Sequence, residues 1–446
     1  MLLDFILKKC HLSETKEQIA RNLFWAVFGK IVTLLGSLFV GIIIARYLGP
    51  KQYGLMNYVI SYVSLFQILA IFGLDSIEIR EEAKHKVPFQ TIIGTAFTIK
   101  LIMAIITMIL TIATSCFLNA DLETTILISV YTLSIIANTL TVCRNYFMAI
   151  VQNEYIVKSE IARTFIGAGI KVVLLLNHAD LMWFIAATTF DYFLLASGYS
   201  YSYRKKIGSI RDWKFDSKYA LFLIKESFPL LLTSAAVIIY QRIDQVMIGQ
   251  MIGTEPVGYF SVASRIVEIL IYIPAIAVQT IAPILVRARE HSITDYIDKA
   301  QRFMNATLWA TIIVAIITSV SSYWIIYILF GDSYLAAVPI LQILSFKAAS
   351  VALSSVAGHM IIIEGIQYWA IFRDIFGCIV CVGLNYMLLP RYGIIASAFI
   401  AILSNIAAGY LADAIIPAYR HLFIRQTKAL FIGWLDLFKL KNLIVR

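Results

Sequence analysis

Charge is scarce in this sequence. Only 14% of its 446 residues are Asp, Glu, Lys or Arg, against 60% that are hydrophobic, whereas soluble chains carry about 25% charged residues. That shortage excludes an ordinary soluble fold and predicts a polytopic membrane protein. The net charge is nevertheless +10. In a soluble chain this excess would suggest nucleic acid. Here the positive-inside rule accounts for most of it, and no nucleic-acid partner is expected.

Long polar loops are missing too. Connections such as "LNADLETT" and "LFGDSY" leave no room for an external catalytic domain, and the six His are scattered. No enzymatic activity, catalytic residue, cofactor or metal site is expected. The five cysteines, Cys10, Cys116, Cys143, Cys378 and Cys381, do not pair sensibly across compartments. The C-x-x-C at Cys378 and Cys381 lies inside the apolar "FGCIVCVGLNYMLL", without the nearby His or charge that a redox or zinc pair wants. It reads as small residues packing on a helix face. The start, "MLLDFILKKCHLSETKEQ", does not read as a signal peptide: its apolar run is short, the basic residues follow it and no small-residue cleavage site appears. Residues 1–21 are expected to lie at the cytoplasmic interface.

What is present is apolar sequence in long runs. Twelve runs between residues 22 and 416 are long enough to cross a ~30 Å hydrocarbon core. With the N-terminus placed inside, the inner segments hold 26 of the 37 Lys and Arg, and the outer loops hold three: Arg46, Lys51 and Arg391. This asymmetry predicts a multi-pass protein with both termini cytoplasmic. A basic inner stretch, "YRKKIGSIRDWKFDSK", divides the chain into a six-helix lobe at 22–203, a linker at 204–221 and a second lobe at 222–416. The tail, 417–446, is too short in its apolar part to span. Its Leu430, Trp434, Leu437, Phe438, Lys439 and Lys441 predict an amphipathic helix on the cytoplasmic face.

The two halves echo one another. "ARYLGPKQYGLMNYVISYV" (45–63) aligns with "GQMIGTEPVGYFSVASRIV" (249–267), so that Gly49 meets Gly253 and Gly54 meets Gly258. "IREEAK" at 79–84 is echoed by "VRARE" at 286–290. With six spans per half the repeats are parallel, a transporter arrangement.

The charges inside the runs carry the functional argument. Lys225, beside Glu226 at a cytoplasmic end, reads as snorkelling, and Arg163 suits either snorkelling or cavity lining. Lys30, Lys100, Lys171 and Lys347 have no acid at i±3 or i±4, which favours cavity lining over pairing between helices. Arg265 has Glu268 at i+3 for a local ion pair. Arg242 and Asp244, in "AVIIYQRIDQVMIGQMIG", are two apart and must face different sides of their helix. Asp191, Asp244 and Glu268 are the deep acids, each suited to a coupling H+ or Na+ or to serve as counter-charge; Asp413 reads as solvated. Several cations left in lipid would cost on the order of 20 kcal/mol. The economical resolution is a hydrated, net-positive, anion-attracting cavity lined by Lys30, Lys100, Arg163, Lys171, Arg242, Arg265 and Lys347.

"IARYLGPKQYGLMNYVISYVSLFQILAIFGLDSIEIREEAK" (44–84) resembles the first conserved block of the polysaccharide repeat-unit (O-antigen) flippases, in the multidrug/oligosaccharidyl-lipid/polysaccharide (MOP) superfamily. "QRIDQVMIGQMIGTEPVGYFSVASRIVE" (241–268) resembles their second-lobe block, with Arg242 and Asp244 in it. The resemblance implies an all-α fold of twelve transmembrane helices in two six-helix lobes, arranged in a V and working by alternating access. It implies an undecaprenyl-diphosphate-linked oligosaccharide as substrate, moved from the cytoplasmic to the outer leaflet of the inner membrane. Membrane lipids, a coupling H+ or Na+, and the polymerase and chain-length proteins of polysaccharide assembly are the partners it implies. An ion-coupled multidrug exporter of the same superfamily, or a flippase for another lipid-linked envelope precursor, is the alternative.

Overall fold

The computed structural model describes residues 14–118 and 121–436. Helices run through both stretches, and no strand occurs among the described residues. The physical signature of a membrane solvent is plain in α3 (Phe89–Phe117). It buries Ala96, Lys100, Ala104, Thr107, Thr111 and Ser115 on one face, while Ile102, Ile105, Ile106, Ile109 and Leu110 are exposed. Polar side chains turn inward to find partners and apolar ones turn outward, the reverse of a soluble helix.

Among the described residues, nine helical segments are long and apolar enough to cross a membrane. The chain is a multi-pass membrane protein. Two of the segments contain 57 and 49 residues, more than one crossing needs, since about 20 residues span the core. The longer one includes most of α1 (Glu14–Ile71), which breaks at Gly49 with φ 70° and Pro50 beside it. The other includes α14 (Ala370–Ile406), which breaks at Gly393 with φ 65°, three residues after Pro390. Positive φ is open to glycine and strained for other residues. Helix α6 (Asn153–Leu176), which holds one of the twelve apolar runs, is not among the nine segments. Its Lys158, Glu160, Arg163 and Lys171 dilute the apolar run.

The N-terminal interfacial segment expected at 1–21 lies largely outside the described residues, and 14–21 already belong to α1.

Packing divides the chain into two units, but not at the basic loop. One unit comprises Met1–Tyr47 and Phe66–Ser234, the other Leu48–Leu65 and Ala235–Arg446. The boundary therefore falls within α8 (Ser217–Met251), and the second half of α1 begins in the unit that holds the C-terminal helices. Hydrophobic pattern alone places 48–65 with its sequence neighbours; side-chain packing places it elsewhere.

In the first unit, α2 (Leu74–Lys84), α3, α5 (Thr141–Ala149) and α7 (Leu181–Lys206) enclose Leu74, Ile93, Val142, Phe147 and Tyr203. The segment expected as a linker is a strap on this core. Trp213 Nε1 donates to Tyr203 Oη at 3.1 Å, and its ring packs 5.2 Å from that of Phe97. Lys214 N donates to Gln90 O at 3.1 Å, an approach that Gly94 permits, since a Cβ there would stand 2.6 Å from Lys214 N.

In the second unit, the repeat seen in the sequence becomes a helix crossing. Gly253, with φ 132°, precedes α9 (Thr254–His291), as Gly49 precedes the second half of α1. Gly54 lies against the backbone of Thr254 and Gly258, and Gly258 lies against that of Pro50. These contacts are reciprocal under the same alignment, so the two repeats meet about a local pseudo-twofold. Any larger residue would force the backbones apart.

The tail helix α16 (Arg420–Phe431) is built into this unit. Trp309 Nε1 of α10 (Ile293–Val320) donates to Ala429 O at 2.9 Å, and Gln426 Nε2 donates to Gly409 O at 2.7 Å. Leu422 and Ala429 are fully buried. Leu437, Phe438, Lys439 and Lys441 lie outside the described residues.

Candidate functional site

The Arg-x-Asp of α8 resolves into two different environments. Asp244 turns into the second unit, 1% exposed. Its Oδ1 accepts from Asn385 Nδ2 at 2.7 Å and from Cys381 Sγ at 3.4 Å, while Ser397 Oγ donates to Asn385 Oδ1 at 2.7 Å. Cys381 is therefore a polar partner as well as a packing residue. Lys347, half-buried at the first residue of α13 (Lys347–Glu364), also acts on Asp244 through its charge.

Arg242 points the other way. Its Nη1 lies 3.9 Å from Glu268 Oε1, and Arg265 Nη1 lies 3.5 Å from Glu268 Oε2. The three side chains are 39%, 35% and 41% exposed. Two guanidinium groups thus share one carboxylate on otherwise apolar helices, with net charge +1. Long, open contacts of this kind contribute little to stability. Arg242 in particular holds its planar fork, which matches phosphate oxygens, in a long and partly exposed contact.

The cations of the first unit are placed differently. Lys100, 2% exposed, is 2.7 Å from Asp75 Oδ1 and 2.6 Å from Glu78 Oε1. Asn145 Nδ2 bridges the same two carboxylates at 2.9 and 2.5 Å. Lys171 is 2.5 Å from Asp191 Oδ2, both nearly buried, and a side chain at Gly167 would collide with that aspartate. Arg163 is half-buried with its Nε shielded and lacking a hydrogen-bond partner among the described residues. Lys30 is exposed on α1.

Three constellations are not apparent from the sequence. Asp413, expected to be solvated, is fully buried, with Oδ1 3.3 Å from Arg373 Nε. Glu364 receives Tyr296 Oη at 3.0 Å and lies 2.6 Å from His421 Nε2 and 3.8 Å from Arg425 Nη1. Asp75, Glu78 and Glu82 lie in a segment whose composition reads as an inner loop. Their spacing at i, i+3 and i+7 was the available signal for a shared helix face. Asp75 also lines a cavity of about 300 Å³ in the first unit, together with Asn138, Arg144, Glu160, Tyr192 and Tyr199.

Comparison with known families decides the class. A family model described as polysaccharide biosynthesis protein matches residues 19–289. The chain belongs to that family. Among solved structures it is similar to the lipid II flippase MurJ in an inward closed conformation, with TM-score 0.70 at 13% identity, covering 94% of this chain and 93% of that one. It is also similar to a multidrug resistance MATE family transporter of the MOP superfamily. The inward-facing form gives TM-score 0.65 at 15% identity over 90% and 96% of the two chains. The outward-facing form gives 0.62 at 14% over 94% and 97%. Curated proteins offer no match. At these identities the likeness establishes a MOP-like helical fold, and the family establishes a part in polysaccharide biosynthesis.

Proposed function

We infer that the chain is a flippase carrying an undecaprenyl-diphosphate-linked oligosaccharide, the repeat unit of an O-antigen, capsule or exopolysaccharide, from the cytoplasmic to the outer leaflet of the inner membrane by alternating access. Counting two crossings each for the segments broken at Gly49 and Gly393, and one for α6, brings the nine apolar segments to twelve. Both termini are then cytoplasmic, as the Lys and Arg distribution requires.

The observation that carries the reading is the Arg242–Glu268–Arg265 cluster in a member of a polysaccharide biosynthesis family. Arg242 is partly exposed and reaches its carboxylate only at 3.9 Å, so a diphosphate has a fork to engage without first breaking a tight pair. Arg242 and Arg265 are the proposed diphosphate ligands. Lys30, Arg163 and Lys347 contribute to the positive field that draws the anion in. Lys100 and Lys171 are already satisfied by carboxylates and take a structural part. A drug exporter of the same superfamily would favour cationic cargo, for which a net-positive cluster has the wrong sign.

The test is export of lipid-linked sugar in a strain lacking its own flippase, with membrane abundance measured alongside. Arg242→Ala combined with Arg265→Ala should abolish export at normal abundance. Undiminished export from that double variant would sink the reading.

A further inference from the structure

The acidic face of α2 has a charge imbalance that the flippase reading does not use. Asp75, Glu78 and Glu82 lie on one side of the helix, and Lys100 is the cation placed between the first two. The other cations of α2 are engaged elsewhere: Arg80 lies 2.9 Å from Glu81 and 2.9 Å from Glu226, and Lys84 lies 2.8 Å from Glu81. Glu82 is 4% exposed, and neither of its carboxyl oxygens has a hydrogen-bond partner among the described residues. An ionised carboxylate in such a place is very costly, and the group takes up a proton instead.

The titratable groups facing Glu82 are compatible with a neutral acid. They are Glu78 on the preceding turn, Lys100 from α3, Cys143 and Tyr146 from α5, Tyr203 from α7 and Tyr219 from α8. Lys100 is the cation in this set, and it is held by Asp75 and Glu78. No group of three or more His, Cys, Asp or Glu among the described residues is arranged to hold a metal ion. The buried and unpartnered carboxyl of Glu82 is what points to a proton as the ligand.

We propose that the acidic face of α2 is a proton-binding site: Glu82 holds one exchangeable proton, which reaches it from the cavity through Asp75 and Glu78. Asp75 is the entry because it is 34% exposed and lines the cavity. A proton placed on the Asp75 carboxylate passes to Glu78 by way of Lys100. The lysine ammonium gives one proton to Glu78 and regains one from Asp75, so the net transfer is a single proton. Glu82 lies one turn further on the same face, with no standing hydrogen bond to Glu78, so the last transfer requires one carboxyl to turn toward the other. Release of that proton leaves a second uncompensated negative charge buried in the first unit, an electrostatic penalty that favours a different packing of α2. This use of the site, coupling proton flow to transport, rests on the flippase reading; the proton site itself does not.

The experiment uses the full chain reconstituted in lipid, with infrared spectroscopy as a readout independent of cargo. At neutral pH the wild type should show a protonated-carboxyl C=O band that is lost in Glu82→Gln and retained in Asp75→Asn. Absence of the band in the wild type, or its persistence in Glu82→Gln, overturns the site. In proteoliposomes with lipid-linked oligosaccharide, one unit of pH gradient should bias accumulation by about tenfold for one proton per cycle. Glu82→Gln should translocate without responding to the gradient, because the glutamine mimics the loaded state. A response equal to wild type overturns the coupling. A wild type that moves no lipid-linked oligosaccharide overturns the flippase reading instead, and the infrared band still decides the proton site.

Discussion

Lys100 and Arg242 both lie within long apolar runs, and each is a cation that lipid would reject. Lys100 is 2% exposed and gripped by two carboxylates at 2.7 and 2.6 Å, whereas Arg242 is 39% exposed and reaches one carboxylate at 3.9 Å. The first is an internal strut and the second an available donor. A deep charge therefore does not announce its role by depth or by sequence spacing; what separates the two is how completely neighbours on other helices satisfy it.

The comparison can be broken first at Lys100. Removing it leaves the buried Glu78 without its cation and Asp75 with only Asn145 as a partner there, so Lys100→Ala should destabilise the protein by about 3–5 kcal/mol. Thermal unfolding in detergent and yield of monodisperse protein are the measurements. Arg242→Ala, with its exposed and stretched pair, should stay within about 1 kcal/mol of wild type. Equal losses of stability in the two variants would erase the distinction between strut and donor.

A smaller effect is expected at the acids. Asp244 is buried as the acceptor for Asn385 and Cys381. Asp244→Asn turns an acceptor-only group into one with donors aimed at donors, and should cost about 1–3 kcal/mol. Glu268→Gln, at a site 41% exposed, should change stability by no more than about 1 kcal/mol. It should shift the salt dependence of export, because the remaining guanidinium charges become more open. If Glu268→Gln proves the more destabilising of the two, the assignment of buried and open environments is wrong.

The smallest expected change in stability is the most telling for function. Arg242→Lys keeps the charge and loses the fork, so its unfolding temperature should match wild type while export falls. Export equal to wild type would mean that a point charge suffices there and that bidentate geometry is not used.

Much of the fold was legible because the bilayer imposes it. Long apolar runs must be helical to satisfy their own backbone groups, so the all-helical character and the nine long apolar segments followed from composition. The glycine repeat was legible for a similar reason: Gly49 and Gly253 serve turns of positive φ, and Gly54 and Gly258 serve a close crossing. Local geometry also placed Arg242 and Asp244 on different faces and set Arg265 beside Glu268, since these depend only on helical periodicity. The counter-charges of Lys100 and Asp413, the strap at 204–221 and the seating of the tail helix were not legible. Each depends on residues far away in the chain, as Asp244 and Asn385 do at a separation of 141 positions.

By itself, the sequence determined the solvent, the helices and the obligation that every deep charge find water or a partner, because desolvation costs attach to residue type. Which partner each charge found was decided only by tertiary packing. The cost of burying a charge is a property of the group, but its compensation depends on distances of a few ångströms between helices. That is why Lys100 became a strut, Arg242 stayed open and Glu82 was left to hold its own proton.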